Sequence, residues 1–76
     1  MKRFSKTRQL KDLPKINLNK ATLEELVRLP GIGTVTANRI IEYRQRHGPF
    51  RNIEDLVFKV GVHQRIFDKL SDRLVV

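Results

Sequence analysis

Leu29-Pro30-Gly31-Ile32-Gly33-Thr34-Val35-Thr36-Ala37 is the stretch whose reading decides the fold. Pro30 pushes the residue before it out of helical backbone, so a helix arriving from the N-terminal side must stop there. Gly31 and Gly33 have no Cβ, which lets the main chain turn tightly and come close to another molecule. Helical periodicity resumes at Thr34. A helix start presents unpaired N–H groups and the positive end of the helix dipole together, and that combination suits an anion. Sixteen Lys and Arg oppose eight Asp and Glu, a net charge of +8. The anion this implies is a nucleic-acid phosphate.

Outward from the turn, the pattern predicts short helices. Thr22-Leu23-Glu24-Glu25 fits a capping box, with Thr22 as N-cap and Glu25 at the third helical position. A first helix follows from about Leu23 to Arg28, burying Leu23, Leu26 and Val27, with Leu29 at its exit. A second runs from about Thr34 to His47, with Ala37, Ile40 and Ile41 on one face, and Gly48-Pro49 stops it. Asn52 is the expected N-cap of a third helix, about Ile53 to Phe58, with Asp55 at its third position and Ile53, Leu56 and Val57 inward. Val60-Gly61-Val62-His63 repeats the first turn, with histidine where Gly33 stands. A fourth helix covers about Gln64 to Ser71 and buries Ile66, Phe67 and Leu70. Residues 16–21 read as an extended lead-in, where Asn17 and Asn19 make local turn hydrogen bonds. Leu74-Val75-Val76 is expected to pack back over the core. Tyr43, Phe50, Phe58 and Phe67 are read as core aromatics. The expected class is all-α, one domain of four to five short helices over residues 16–76, built as a repeated helix–turn–helix unit.

Composition narrows the functions. A chain of 76 residues makes one small domain with a thin core. There is no cysteine, hence no disulfide and no thiolate metal site. His47 and His63 have no acidic partner at a recognised metal spacing. Glu24-Glu25 and Glu54-Asp55 are acidic pairs, but each sits where a helix dipole favours carboxylates, so neither reads as a catalytic dyad. The reading is a binding domain, not an enzyme. No apolar run is long enough to span a bilayer. Residues 1–15 carry six basic residues and one acidic one, and are expected to form a flexible basic arm. The start lacks an apolar signal core, so the chain as it stands is expected in the cytoplasm; as a piece of a longer protein it would be surface-anchored or exported.

Residues 29–37, together with Ile16-Asn17-Leu18-Asn19, Ala21-Thr22, Glu24-Glu25-Leu26, Ile40–Arg44, Gly48-Pro49-Phe50 and Ile53–Leu56, resemble the helix-hairpin-helix motif in the tandem form of ComEA-type DNA receptors of bacterial competence. The resemblance covers about four-fifths of the chain. It implies sequence-independent binding of double-stranded DNA through the backbone, in DNA uptake, repair or recombination. By position, Gly31, Ile32, Gly33, Thr34, Val35, Thr36 and Arg39 form the candidate DNA site. The N–H groups of Gly31, Gly33, Thr34 and Val35 are its donors, Thr34 and Thr36 add hydroxyls, and Ile32 plugs the hairpin. Many such hairpins are basic at the position of Val35; Arg39, one turn on, is the candidate replacement. Gly61, Val62, His63, Gln64 and Arg65 form a weaker second site, read as mainly structural because His63 replaces the usual glycine. The resemblance also implies a K+ or Na+ ion held by the carbonyls of Val27, Leu29 and Ile32, and no other cofactor. The alternatives are a protein-interaction module of the same fold, or an accessory domain of a larger nucleic-acid enzyme.

Overall fold

A computed structural model describes residues 14–76. The order of elements is strand β1 (Ile16–Asn17), helix α1 (Leu23–Val27), helix α2 (Thr34–His47), a π-helical segment (Leu56–Val60), helix α3 (Gln64–Leu70), a 3₁₀ turn (Ser71–Arg73) and strand β2 (Leu74–Val75). The class is all-α, as expected. The strands add one feature beyond the expectation of a packed C-terminal tail. β1 and β2 pair in parallel, Ile16 with Leu74 and Asn17 with Val75, and the Leu18 N–H extends the pairing to the Val75 carbonyl at 2.9 Å. Of the predicted arm, only Pro14 and Lys15 fall inside the described residues. The Lys15 ammonium donates to the Asp72 carbonyl beside this pairing.

The capping box at α1 forms as predicted. The Glu25 N–H donates to Thr22 Oγ1 at 3.2 Å, and the Thr22 N–H donates to Glu25 Oε1 at 2.9 Å. Two otherwise orphaned donors are thereby satisfied. Asn17 makes its local turn, accepting the Asn19 N–H at 2.8 Å. Asn19 does more than local work. Its amide brackets Phe50, accepting the Phe50 N–H at 2.6 Å and donating to the Phe50 carbonyl at 3.1 Å. Arg44 donates to the Leu18 carbonyl at 3.0 Å. The lead-in is thus fastened to the far end of α2 and to the segment after Gly48, whose φ of +86° ends that helix.

The core draws on α1, α2, the π-helical segment, α3 and β2 together with the connecting segments: Leu18, Leu26, Leu29, Ile40, Leu56 and Leu70 are fully buried. Each is worth about 1.5–3 kcal/mol of transfer free energy, so a domain of this size depends on them closely. Three expectations require correction. Val27 is 38% exposed, because α1 buries only Leu26 and hands the inward position to Leu29 after the chain turns. The third helix does not start at an Asn52 side-chain cap. The Asn52 carbonyl accepts the Asp55 N–H at 3.1 Å, Asp55 Oδ2 accepts the Arg51 N–H at 3.3 Å, and the segment that follows is a wider π-helical coil over Leu56–Val60. Phe58 is not core: it lies two residues past buried Leu56, on the opposite side of the coil, and is 75% exposed. Phe50 and Phe67 are buried, and half-buried Tyr43 stacks on Phe50 with centroids 4.8 Å apart.

Candidate nucleic-acid interface

The first hairpin joins α1 to α2, and its geometry follows from Pro30. Proline has no N–H and restrains Leu29, so α1 ends at Val27 and the chain closes through small steps. The Leu29 N–H reaches the Leu26 carbonyl at 3.1 Å, and the Ile32 N–H reaches the Leu29 carbonyl at 3.0 Å. Ile32 is 4% exposed and fills the space between the helices, while Ala37 below it is fully buried and lets them approach. Ile32 therefore anchors the turn; its side chain and its N–H are both spent internally.

The neighbouring amides are different. Among the described residues, no acceptor pairs with the N–H of Gly31, Gly33, Thr34, Val35 or Thr36. Gly33 is the N-cap of α2 and has no side chain to offer. The first turn of α2 contains no acidic residue. Gly31, Gly33, Thr34 and Val35 are exposed, Val35 at 69%. The hairpin thus presents a cluster of uncapped donors at the positive end of a 14-residue helix whose first turn carries no carboxylate.

The two glycines of this turn have separate reasons to be glycine. Gly31 has φ +84°, and a Cβ there would stand 3.0 Å from Ile66 Cγ2. Both backbone and packing demand its absence. Gly33 has φ −93° and ψ −176°, extended backbone that any residue adopts, and a Cβ would meet nothing within 4 Å. Nothing inside the fold requires a glycine at 33. What it provides is an unobstructed approach to the amides that follow.

The second hairpin joins the π-helical segment to α3 and uses most of its amides internally, those of His63 and Gln64 being without an acceptor among the described residues. The Gly61 and Val62 N–H groups converge on the Leu56 carbonyl at 3.0 and 2.9 Å. His63 is the N-cap of α3: its Nδ1 accepts the Arg65 N–H at 3.0 Å, and its carbonyl accepts those of Ile66 and Phe67, both at 3.0 Å. Val62 is buried like Ile32. The Gln64 side chain is engaged with Asp68 at 2.9 Å. Among residues 61–65, Arg65 carries the permanent charge, and it is exposed. The backbone at His63, φ −61°, is unstrained, so the histidine does not distort this turn.

Of the three carbonyls expected around a cation, that of Leu29 accepts the Ile32 N–H, while those of Val27 and Ile32 receive no main-chain donor. Oxygen donors of this kind fit a hard monovalent ion. No cluster of three or more His, Cys, Asp or Glu side chains occurs among the described residues. None of their helices is long and apolar enough to cross a membrane.

Two hairpins of this kind, each closing a short helix onto a following one around a buried aliphatic plug, define a helix-hairpin-helix domain. The family model of the helix-hairpin-helix motif matches residues 11–75. The chain belongs to the helix-hairpin-helix family, in its ComEA-type tandem form, a class of nucleic-acid-binding domain. Over 61 residues, 80% of the chain, it is 39% identical to ComE operon protein 1 of Bacillus subtilis and 40% identical to endonuclease/exonuclease/phosphatase family domain-containing protein 1 of mouse. It is 39% identical over 62 residues to an uncharacterized protein of Haemophilus influenzae. The similarity covers 30%, 11% and 55% of those proteins respectively, so the chain spans only part of the length of each.

Proposed function

We propose that this domain binds double-stranded DNA without sequence choice, by placing a backbone phosphate on the uncapped amides of Gly31 and Gly33 to Thr36, and that it serves DNA uptake, repair or recombination. The observation that carries the reading is Gly33. It is a glycine the fold does not need, at the mouth of a set of donors the fold leaves unused. An N–H bonded to a phosphate oxygen is charge-assisted and stronger than a neutral bond. The Thr34 and Thr36 hydroxyls add donors, and Arg39 adds charge one turn along α2. None of these groups reads a base edge, so they position the duplex without selecting a sequence. We read the domain as a binding unit with no chemistry of its own. The carbonyls of Val27, Leu29 and Ile32 complete the site by holding K+ or Na+ against the same phosphate.

Affinity for one small domain is expected on the order of 10⁻⁴ to 10⁻⁶ M near physiological salt. The test is fluorescence polarisation with two duplexes of unrelated sequence across a KCl series, repeated in tetramethylammonium chloride. The two duplexes should bind alike and lose affinity steeply with salt, with a log–log slope of roughly −0.9 per phosphate neutralised. Little or no salt-dependent signal with either duplex would indicate a protein-interaction module instead. Identical curves in the two salts would remove the cation from the site.

A further inference from the structure

A second concentration of positive charge lies in an open cleft of about 250 Å³ between α2 and the π-helical segment. Arg39 and Arg46 enter it from α2, and Lys59 enters from the other side. Its one carboxylate, Glu42, is paired with Arg46 at 3.2 Å, and both side chains are well exposed. Among the described residues, no carboxylate pairs with Arg39 or Lys59. Cations in the last turn of α2 are explained by the helix dipole, and Arg46 and His47 are there. That account does not reach Arg39 in the middle of the helix, nor Lys59 on a different element. Two unpaired cations brought to one concavity repel each other, and an anion between them relieves that repulsion.

The cleft continues the hairpin surface. Val35, Arg39, Glu42 and Arg46 recur at i, i+4, i+7 and i+11, which is one face of α2. The uncapped Val35 amide thus heads a stripe that leads about 16 Å down the helix to Arg46. The cleft's aromatic residue indicates what it takes. Tyr43 is engaged by His47 at 4.7 Å and by Phe50 at 4.8 Å, while its hydroxyl bonds to nothing among the described residues. The cleft therefore offers cations rather than a vacant ring face for a base.

We propose that this cleft is a second phosphate site, in which Arg39 and Lys59 hold a backbone phosphodiester of the same DNA whose other phosphate sits on the amides of Gly33 to Thr36. The inference rests on the hairpin reading and extends it from one phosphate to a track along α2. A guanidinium fork matches two phosphate oxygens at once, and the ammonium of Lys59 closes the opposite side.

The experiment compares the intact chain with Lys59→Gln and, as a control on α3, Lys69→Gln, using a 20-base-pair duplex across a salt series. Lys59→Gln should bind a few-fold more weakly, lower the salt slope by about 0.9, and keep the thermal midpoint of the parent. Lys69→Gln should keep the parent slope. Inorganic phosphate titrated into ¹⁵N-labelled protein should give no saturable shift of the Arg39 Nε–Hε signal at millimolar concentration, because a single anion lacks the second anchor. An unchanged slope for Lys59→Gln overturns the cleft site while leaving the hairpin intact. A saturable response to inorganic phosphate overturns the backbone assignment in favour of a small-anion pocket. If the parent chain binds no duplex, the hairpin reading itself fails first.

Discussion

The two hairpins have the same spacing but leave different numbers of their amides open. Leu26 and Gly31 are five residues apart, as are Leu56 and Gly61, and a buried aliphatic residue follows each glycine. Yet the first turn leaves the N–H groups of Gly31, Gly33, Thr34, Val35 and Thr36 unpaired, while the second binds those of Gly61, Arg65 and Ile66. Two substitutions separate them. Where the first has Pro30, the second has Val60, whose N–H and freer backbone let the coil widen and close its amides onto the Leu56 carbonyl. Where the first has Gly33, the second has His63, whose ring caps α3. One repeat unit thus yields a turn with five open donors and a turn that closes three of the five equivalents, leaving the N–H groups of His63 and Gln64 without an acceptor among the described residues. Asp68, in the second turn of α3, accepts from the Gln64 side chain, where the equivalent position of α2 is the uncharged Asn38.

The contrast is most severely tested at Gly33. Gly33→Glu should place a carboxylate at the mouth of the open turn and raise the duplex Kd by more than about 100-fold, since several charge-assisted bonds are lost together. Far-ultraviolet circular dichroism should be unchanged, because a Cβ there meets nothing. If that variant binds DNA like the parent, the open amides are not the contact.

A paired alanine comparison should then divide fold from function. Gly31→Ala should lower stability by about 1–3 kcal/mol, through its left-handed backbone and its crowding of Ile66. Gly33→Ala should alter stability by no more than about 0.5 kcal/mol and still weaken DNA binding. Chemical denaturation and polarisation titration on the same samples measure both. Pro30→Val tests why the first turn is open. Its Gly31 amide should gain hydrogen-exchange protection like that of Gly61, and duplex affinity should fall several-fold. The smallest effect is expected on the other side. His63→Gly releases the Arg65 amide at a cost of a few tenths of a kcal/mol, and should change duplex affinity by less than about threefold.

Much of this was readable from residue order. The capping box at Thr22, the stop at Pro30, the restart at Thr34 and the buried plug Ile32 all depend on neighbours within a few positions, where local stereochemistry decides. The two glycines of the first turn were recognisable as a site, but not as different from each other, because φ and clearance are properties of the folded chain. His63 was read as a departure from the pattern; its service as a cap was missed, since histidine is not among the usual N-cap residues. The π-helical form of Leu56–Val60 and the exposure of Phe58 were missed because apolar spacing in so short a segment fits more than one coil. The Asn19–Phe50 bracket joins residues 31 apart, and the cleft of Arg39 and Lys59 joins two elements; neither leaves a trace in local spacing.

Residue order, through proline, glycine, capping side chains and apolar periodicity, dictates an all-α pair of hairpins and a strongly basic surface, because these act over a single turn of chain. Which amides stay available, which glycine is spent on packing, and which cations end up facing each other were settled by packing, because each depends on atoms brought together from distant parts of the chain.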